Sequence, residues 1–193
     1  MRTKSLLTIA LAAAGMMYGA SVFAADTTPT TGPFGTGKIT FTGTITNSPC
    51  DIAPGDDAIT VPLGQISYRH LKAADDVSDS KPFTIHLQNC AFDANDTVIA
   101  GSAGKMSKVT VSFTGNADAN NKGYVNTGNA QDVAVQLLKS DNHSILTPNT
   151  DADAQQLQTG NNELNFFARV VALGASVTPG TVESTVTYTL KYQ

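Results

Sequence analysis

Three short constellations in the chain have residue types and spacings that could do chemistry. The first is GPFGTGK, residues 32–38, which fits the G-x-x-x-x-G-K pattern of a phosphate-binding loop. That loop needs a Ser or Thr after the lysine to ligate Mg²⁺. It must also follow a strand and open a helix, so that backbone N–H groups converge on phosphate. Here Ile39 stands where the hydroxyl should be, a Thr/Pro/Gly-rich stretch comes before, and a period-2 alternation comes after. The second is AGSAG, residues 100–104, around Ser102. A nucleophile elbow needs glycine where Ala100 stands, and a strand–turn–helix frame that the flanks do not offer. The third is Asp118, Asn120, Lys122 and Gly123, an echo of a calcium loop. Lysine at the fifth position and the lack of a glutamate at the twelfth speak against it.

The remaining polar residues add no site. His70, His86 and His143 share no metal-ligand spacing. His86 lies between Ile85 and Leu87, on the outward parity of an apolar alternation. Asp56, Asp57, Asp75 and Asp76 fall in loop-like segments, where paired acids are solvated. The expectation is a non-enzymatic chain with no catalytic residue, no metal and no cofactor.

The N-terminus and the composition narrow the class. Residues 1–24 have the three parts of a cleaved secretory signal. Arg2 and Lys4 open it, an apolar run of about thirteen residues follows, and Val22 and Ala24 stand at −3 and −1 of the cut. No run reaches the roughly 20 apolar residues that span a bilayer, so no integral membrane segment is expected after signal removal. Removing residues 1–24 takes two of the 12 basic residues and none of the 16 acidic ones, moving the net charge from −4 to −6. Binding a row of phosphates needs the opposite sign, which excludes nucleic acid as a partner. Cys50 and Cys90 are the only cysteines, and in an exported chain such a pair forms a disulfide.

The elements that must position any site are strands. Ile39, Phe41 and Ile45 alternate with threonines, with Gly43 in register. Further alternations run through Ile59, Val61 and Leu63, through Phe83, Ile85 and Leu87, and through Val109, Val111 and Phe113. Others run through Val133, Val135 and Leu137, and through Leu164, Phe166, Ala168 and Val170. Val182, Val186, Tyr188, Leu190 and Tyr192 share one parity at the C-terminus. Short period-2 runs between Gly, Asn, Asp and Pro clusters predict an all-β sandwich. DADAQQLQ, residues 151–158, reads as a loop. The stretch before Lys38 is too poor in apolar residues to fold alone and reads as a flexible arm.

The last strand is the anomaly. It is long and alternating, and it carries no proline, no inward charge and no covering segment. Such an edge is an aggregation hazard that proteins normally manage. A spare strand on a tether at one end and an uncovered edge at the other suggest β-augmentation, within one chain or between chains.

In these residues the chain resembles the structural pilins of the chaperone–usher pathway, close to the major rod subunits of type 1 and P pili. GKITFTGTITNSPC is similar to the family's donor strand leading into the first cysteine. ITVPLGQI (59–66), FTIHLQNC (83–90), DVAVQLL (132–138) and NFFARVVALGASVTPG (165–180) resemble its following segments in order. Tyr192 matches its penultimate tyrosine, and Gly180 its glycine before the last strand.

The resemblance implies an immunoglobulin-like sandwich lacking its seventh strand, with domains at 25–46 (donor extension) and 47–193 (pilin domain). It implies a donor strand of Ile39, Phe41, Gly43 and Ile45. The acceptor side would be Val186, Tyr188, Leu190, Tyr192 and Gln193, with Gly180 in the turn before it. The implied partners are a periplasmic chaperone that holds the Gln193 carboxylate, an outer-membrane usher, and other copies of the chain. The implied location is a fimbria on the bacterial surface. A minor or tip subunit that contacts a receptor is the alternative. A periplasmic hydrolase on the same sandwich would need a convergent catalytic group that the sequence does not show.

Overall fold

A computed structural model describes residues 37–92 and 106–193. The expected signal at 1–24, the arm up to residue 36 and AGSAG lie outside the described residues. The chain divides into two units, Met1–Thr44 and Ile45–Gln193.

In the first unit, residues 37–44 have no regular secondary structure. Ile39 and Phe41 are exposed, at 78% and 88%. The alternation over Lys38–Thr46 predicts a strand, and none forms. A strand exists only through its ladder, and no described segment supplies one here.

The second unit is all-β. Its strands are β1 (Asp51–Ile52), β2 (Lys81–Cys90), β3 (Lys108–Gly115), β4 (Tyr124–Val125) and β5 (Val133–Leu138), followed by β6 (Ile145–Leu146), β7 (Gln155–Gln156), β8 (Gly160–Ala172) and β9 (Val186–Tyr192). They form two antiparallel sheets. One has the order β1-β2-β8-β5-β4, with β6 also paired to β5, and the other has the order β7-β3-β9. The long strands are the ones whose alternation is plain in the sequence. Each turns its apolar parity inward, as period 2 requires.

Between the sheets lies a core that includes Ile85, Leu87, Val109, Val111, Leu164 and Phe166, all buried. Phe113 and Phe166 meet edge to face with centroids 5.0 Å apart, and Phe83 closes the triad at 5.7 Å from Phe166 and 6.1 Å from Phe113. A smaller apolar cluster around Leu71, Val133, Val170 and Ala172 lies beside it. Cys50 and Cys90 form a disulfide, and both are buried. It ties the entry to β1 onto the end of β2, where β1 pairs Asp51 with Gln88 and Ile52 with Leu87.

One expected strand is missing here too. Ile59, Val61 and Leu63 keep their inward parity and pack half-buried against the core, yet the segment has no ladder among the described residues. A 3-10 turn at Asp56–Ala58 leads into it.

Candidate functional site

The site is built by the last strand. β9 is laddered on one side to β3, from Val109↔Tyr192 through Gly115↔Val186. Among the described residues nothing pairs with its other side. The ladder continues to the final residue: the Gln193 N–H donates to Lys108 O at 2.9 Å, and the Lys108 N–H donates to Gln193 O at 3.0 Å. Thr187, Thr189 and Lys191 point outward. Val186, Tyr188, Leu190 and Tyr192 point inward but are only half-buried, whereas Val109 and Val111 on the neighbouring strand are 0% and 1% exposed. The inner face of β9 is therefore short of one covering neighbour.

Beside it runs an open groove of about 1640 Å³. That exceeds the roughly 300–1,000 Å³ of small-molecule sites, and suits a length of chain better than a compact ligand. One wall is Gly180–Tyr188, and the other is the unladdered segment 57–67. Phe83, Ile85, Phe113, Val135, Leu137 and Ala168 form an apolar floor.

At one point the two walls are joined. Tyr188 Oη donates to Asp56 O at 2.8 Å. The Asp56 carboxylate in turn accepts from the His86 backbone N–H at 2.6 Å and pairs with His86 Nδ1 at 2.8 Å. Burial pushes the Tyr188 phenol pKa up, and the charges of Asp56 and Asp57 push it the same way. Burial also raises Tyr192, with the nearby Ser48 hydroxyl opposing and Asp51 adding. Ser48 Oγ gives its hydrogen to Cys50 O, and the buried Tyr192 Oη is left without a hydrogen-bond partner of good geometry.

The lead-in to β9 is sewn to the loop after β4. Asn126 Oδ1 accepts from Gly128 N at 3.0 Å and Glu183 N at 2.7 Å, while its Nδ2 donates to Ala130 O at 2.8 Å. Ala130 N donates to Thr181 O at 3.0 Å, and Thr127 N to Glu183 O at 2.8 Å. The close approach explains Gly180, where an added Cβ would fall on Ala130 N, Ala130 Cα and Asn129 C. All three are backbone atoms and cannot swing away. Gly180→Ala is expected to destabilise the folded subunit by about 3 kcal/mol, the upper end for overpacking an interior. Urea unfolding of the variant beside the parent chain measures it.

The structure places the sequence-predicted residues as follows. Val186, Tyr188 and Gly180 line the groove. Leu190 and Tyr192 lie further along the same inward face, packed on the core outside the groove. Gln193 closes the ladder. Ile39, Phe41 and Gly43 belong to the first unit, and Ile45 opens the second, fully exposed. Gly43 would meet no atom within 4 Å if it carried a Cβ.

Sequence reasoning missed the second wall as a site, although its signal, the alternation through Ile59, Val61 and Leu63, was visible. The calcium-loop echo also has a local explanation. The Asp118 carboxylate accepts from the backbone N–H groups of Asn120, Lys122 and Gly123 at 2.6–2.9 Å, which makes it a turn lock. Among the described residues no group of three or more His, Cys, Asp or Glu could hold a metal. No described helix is long and apolar enough to cross a membrane.

Comparisons with known proteins agree with this architecture. The model of the family described as fimbrial protein matches residues 39–193. The chain is 33% identical to the type-1 fimbrial protein, A chain, of Escherichia coli, over the full length of both. It is 29% identical to the Pap fimbrial major pilin protein of Escherichia coli, over 98% of this chain and 99% of that one. Among solved structures, a subunit of a chaperone–usher pilus is 29% identical and superposes with a TM-score of 0.68, covering 83% of this chain and 98% of the other. The P pilus rod subunit PapA gives a TM-score of 0.60 at 26% identity, over 76% of this chain and all of the other. With two sheets, an uncovered last strand and a groove where one more strand would lie, the chain belongs to the fimbrial protein family, as a chaperone–usher pilin with an incomplete immunoglobulin-like fold.

Proposed function

We propose that this chain is the structural subunit of an adhesive surface pilus and polymerises by donor-strand exchange. The observation that carries the reading is the unpaired side of β9 over an apolar groove about 1640 Å³ in volume. An extended segment laid there gains a ladder on β9, and its alternate side chains fill the groove. Residues 25–46 of a neighbouring copy supply that segment, with Ile39, Phe41, Gly43 and Ile45 facing inward, and residues 47–193 accept it. The exposure of Ile39, Phe41 and Ile45 leaves those side chains available to another copy. Burying one such side chain is worth roughly 1.5–3 kcal/mol. Giving at one end and accepting at the other makes the contact heterologous, so it does not close and builds a filament.

Before assembly a periplasmic chaperone lends a strand to the same groove and binds the Gln193 carboxylate, and an outer-membrane usher carries out the exchange. The product is an extracellular fimbria, and its subunit has no catalytic role. Electron microscopy of surface-sheared fibres, labelled with antibody to residues 47–193, tests the reading. Label along whole shafts is expected. Label confined to fibre tips would make this a minor subunit. A chain that stays a stable, soluble monomer without a chaperone after deletion of residues 25–46, or that still forms fibres after that deletion, would overturn the proposal.

A further inference from the structure

The groove wall formed by residues 57–67 has an unusual support, and this inference rests on the reading just proposed. Among the described residues, no backbone hydrogen bond holds residues 59–66 to either sheet. Just before the wall, Ala53 N donates to His86 O at 2.9 Å, and just after it a turn closes from His70 N to Ser67 O. Between these points the wall depends on side-chain packing and on the turn that launches it. Asp56 in that turn is bound to both layers. Its carboxylate takes the His86 backbone N–H and Nδ1 on β2, at 2.6 and 2.8 Å, and its carbonyl takes Tyr188 Oη on β9 at 2.8 Å.

We propose that Asp56, held by His86, acts with Tyr188 as a positioning latch that sets the distance between the two walls of the acceptor groove. The Asp56 side chain is 17% exposed and the His86 side chain 48%, so the anchored end of the latch is sheltered and the handle faces solvent. Tyr188 lies on the inward parity of β9 and lines the groove, and Asp56 sits in the turn immediately before the other wall, so the link ties one wall to the point from which the other starts. A donor strand seated in the groove leaves the latch closed. The wall is then pre-set, and ordering it is not charged against each capture of a donor. Without the latch, residues 57–66 would drift from β9 and the seated strand would leave sooner.

The test uses the full chain after signal removal, refolded oxidised with a fluorescent synthetic peptide of residues 37–47. Dissociation is followed on dilution into unlabelled peptide. Tyr188→Phe keeps the ring and deletes one hydroxyl. Asp56→Ala removes the carboxylate, and Tyr68→Phe, at an exposed tyrosine outside the latch, is the control. Tyr188→Phe is expected to raise the dissociation rate about three- to tenfold, the factor for one net hydrogen bond. Amide hydrogen exchange should speed up in residues 57–66 while β3 and β5 keep their protection. A merely structural role would loosen all three together, and that result would overturn the latch. Equal dissociation from Tyr188→Phe and Tyr68→Phe would also overturn it. Failure of the parent chain to take up the peptide would instead overturn the donor-strand reading, and the latch with it.

Discussion

Gly43→Asn is expected to abolish fibre growth while leaving the subunit folded and bound by its chaperone. Gly43 shares parity with Ile39, Phe41 and Ile45, so in the proposed donor strand its substituent faces the acceptor groove with theirs. Nothing among the described residues resists the change. Gly43 does not need a left-handed backbone, and an added Cβ meets no atom within 4 Å. Residues 37–46 are exposed throughout, so the variant loses no internal packing. The whole cost falls on exchange. An amide forced over an apolar floor adds overpacking of about 1–3 kcal/mol to the roughly 1–3 kcal/mol of an unsatisfied buried polar group. Together these slow or weaken each addition by roughly two orders of magnitude or more. Length distributions of sheared fibres measure it. Thr44→Asn, on the opposite parity, should give fibres of normal length. Normal fibres from Gly43→Asn would remove residues 39–45 from the donor role.

The second large effect concerns the disulfide. Cys50 and Cys90 are 40 residues apart in sequence, and both are buried. Closing a loop of that size stabilises the fold by about 4 kcal/mol in the chain-entropy model. Reduction, or Cys50→Ser with Cys90→Ser, should therefore take away a large share of a stability that is about 5–15 kcal/mol in ordinary domains. The loss also has a place. The bond pins the chain where it enters β1, and β1 leads directly into the Asp56 turn and the groove wall. Denaturant midpoints with and without reductant check the size, and donor-peptide uptake by the reduced chain checks the place. An unchanged midpoint would mean that the closed loop contributes nothing.

The legible part of the molecule was the part with partners. β2, β3, β5, β8 and β9 show long alternations, and each has a ladder that fixes its parity. β1, β4, β6 and β7 are two residues each, too short for period 2 to register. Two segments show clear alternation and form no strand, residues 38–46 and 59–63. Alternation reports which faces a segment can bury, and a ladder requires a neighbour that neither segment has within the described chain. The link between Tyr188 and Asp56 spans 132 residues of sequence, and nothing local to either residue announces it. The acid that looked like a metal ligand, Asp118, owes its pattern to three neighbouring N–H groups.

The half-buried inner face of β9 bears on how long a fibre lasts. A subunit whose interior is completed by a guest segment has no fixed stability of its own. Its melting point rises with the concentration and affinity of whatever occupies the groove, by mass action. Inside a filament the occupant is tethered to the next subunit and its effective concentration is high. A subunit can then leave only by passing through a state with its interior open to water. The lifetime of such a filament is set by a barrier of the kind that governs unfolding, and equilibrium affinity alone is a poor guide to it.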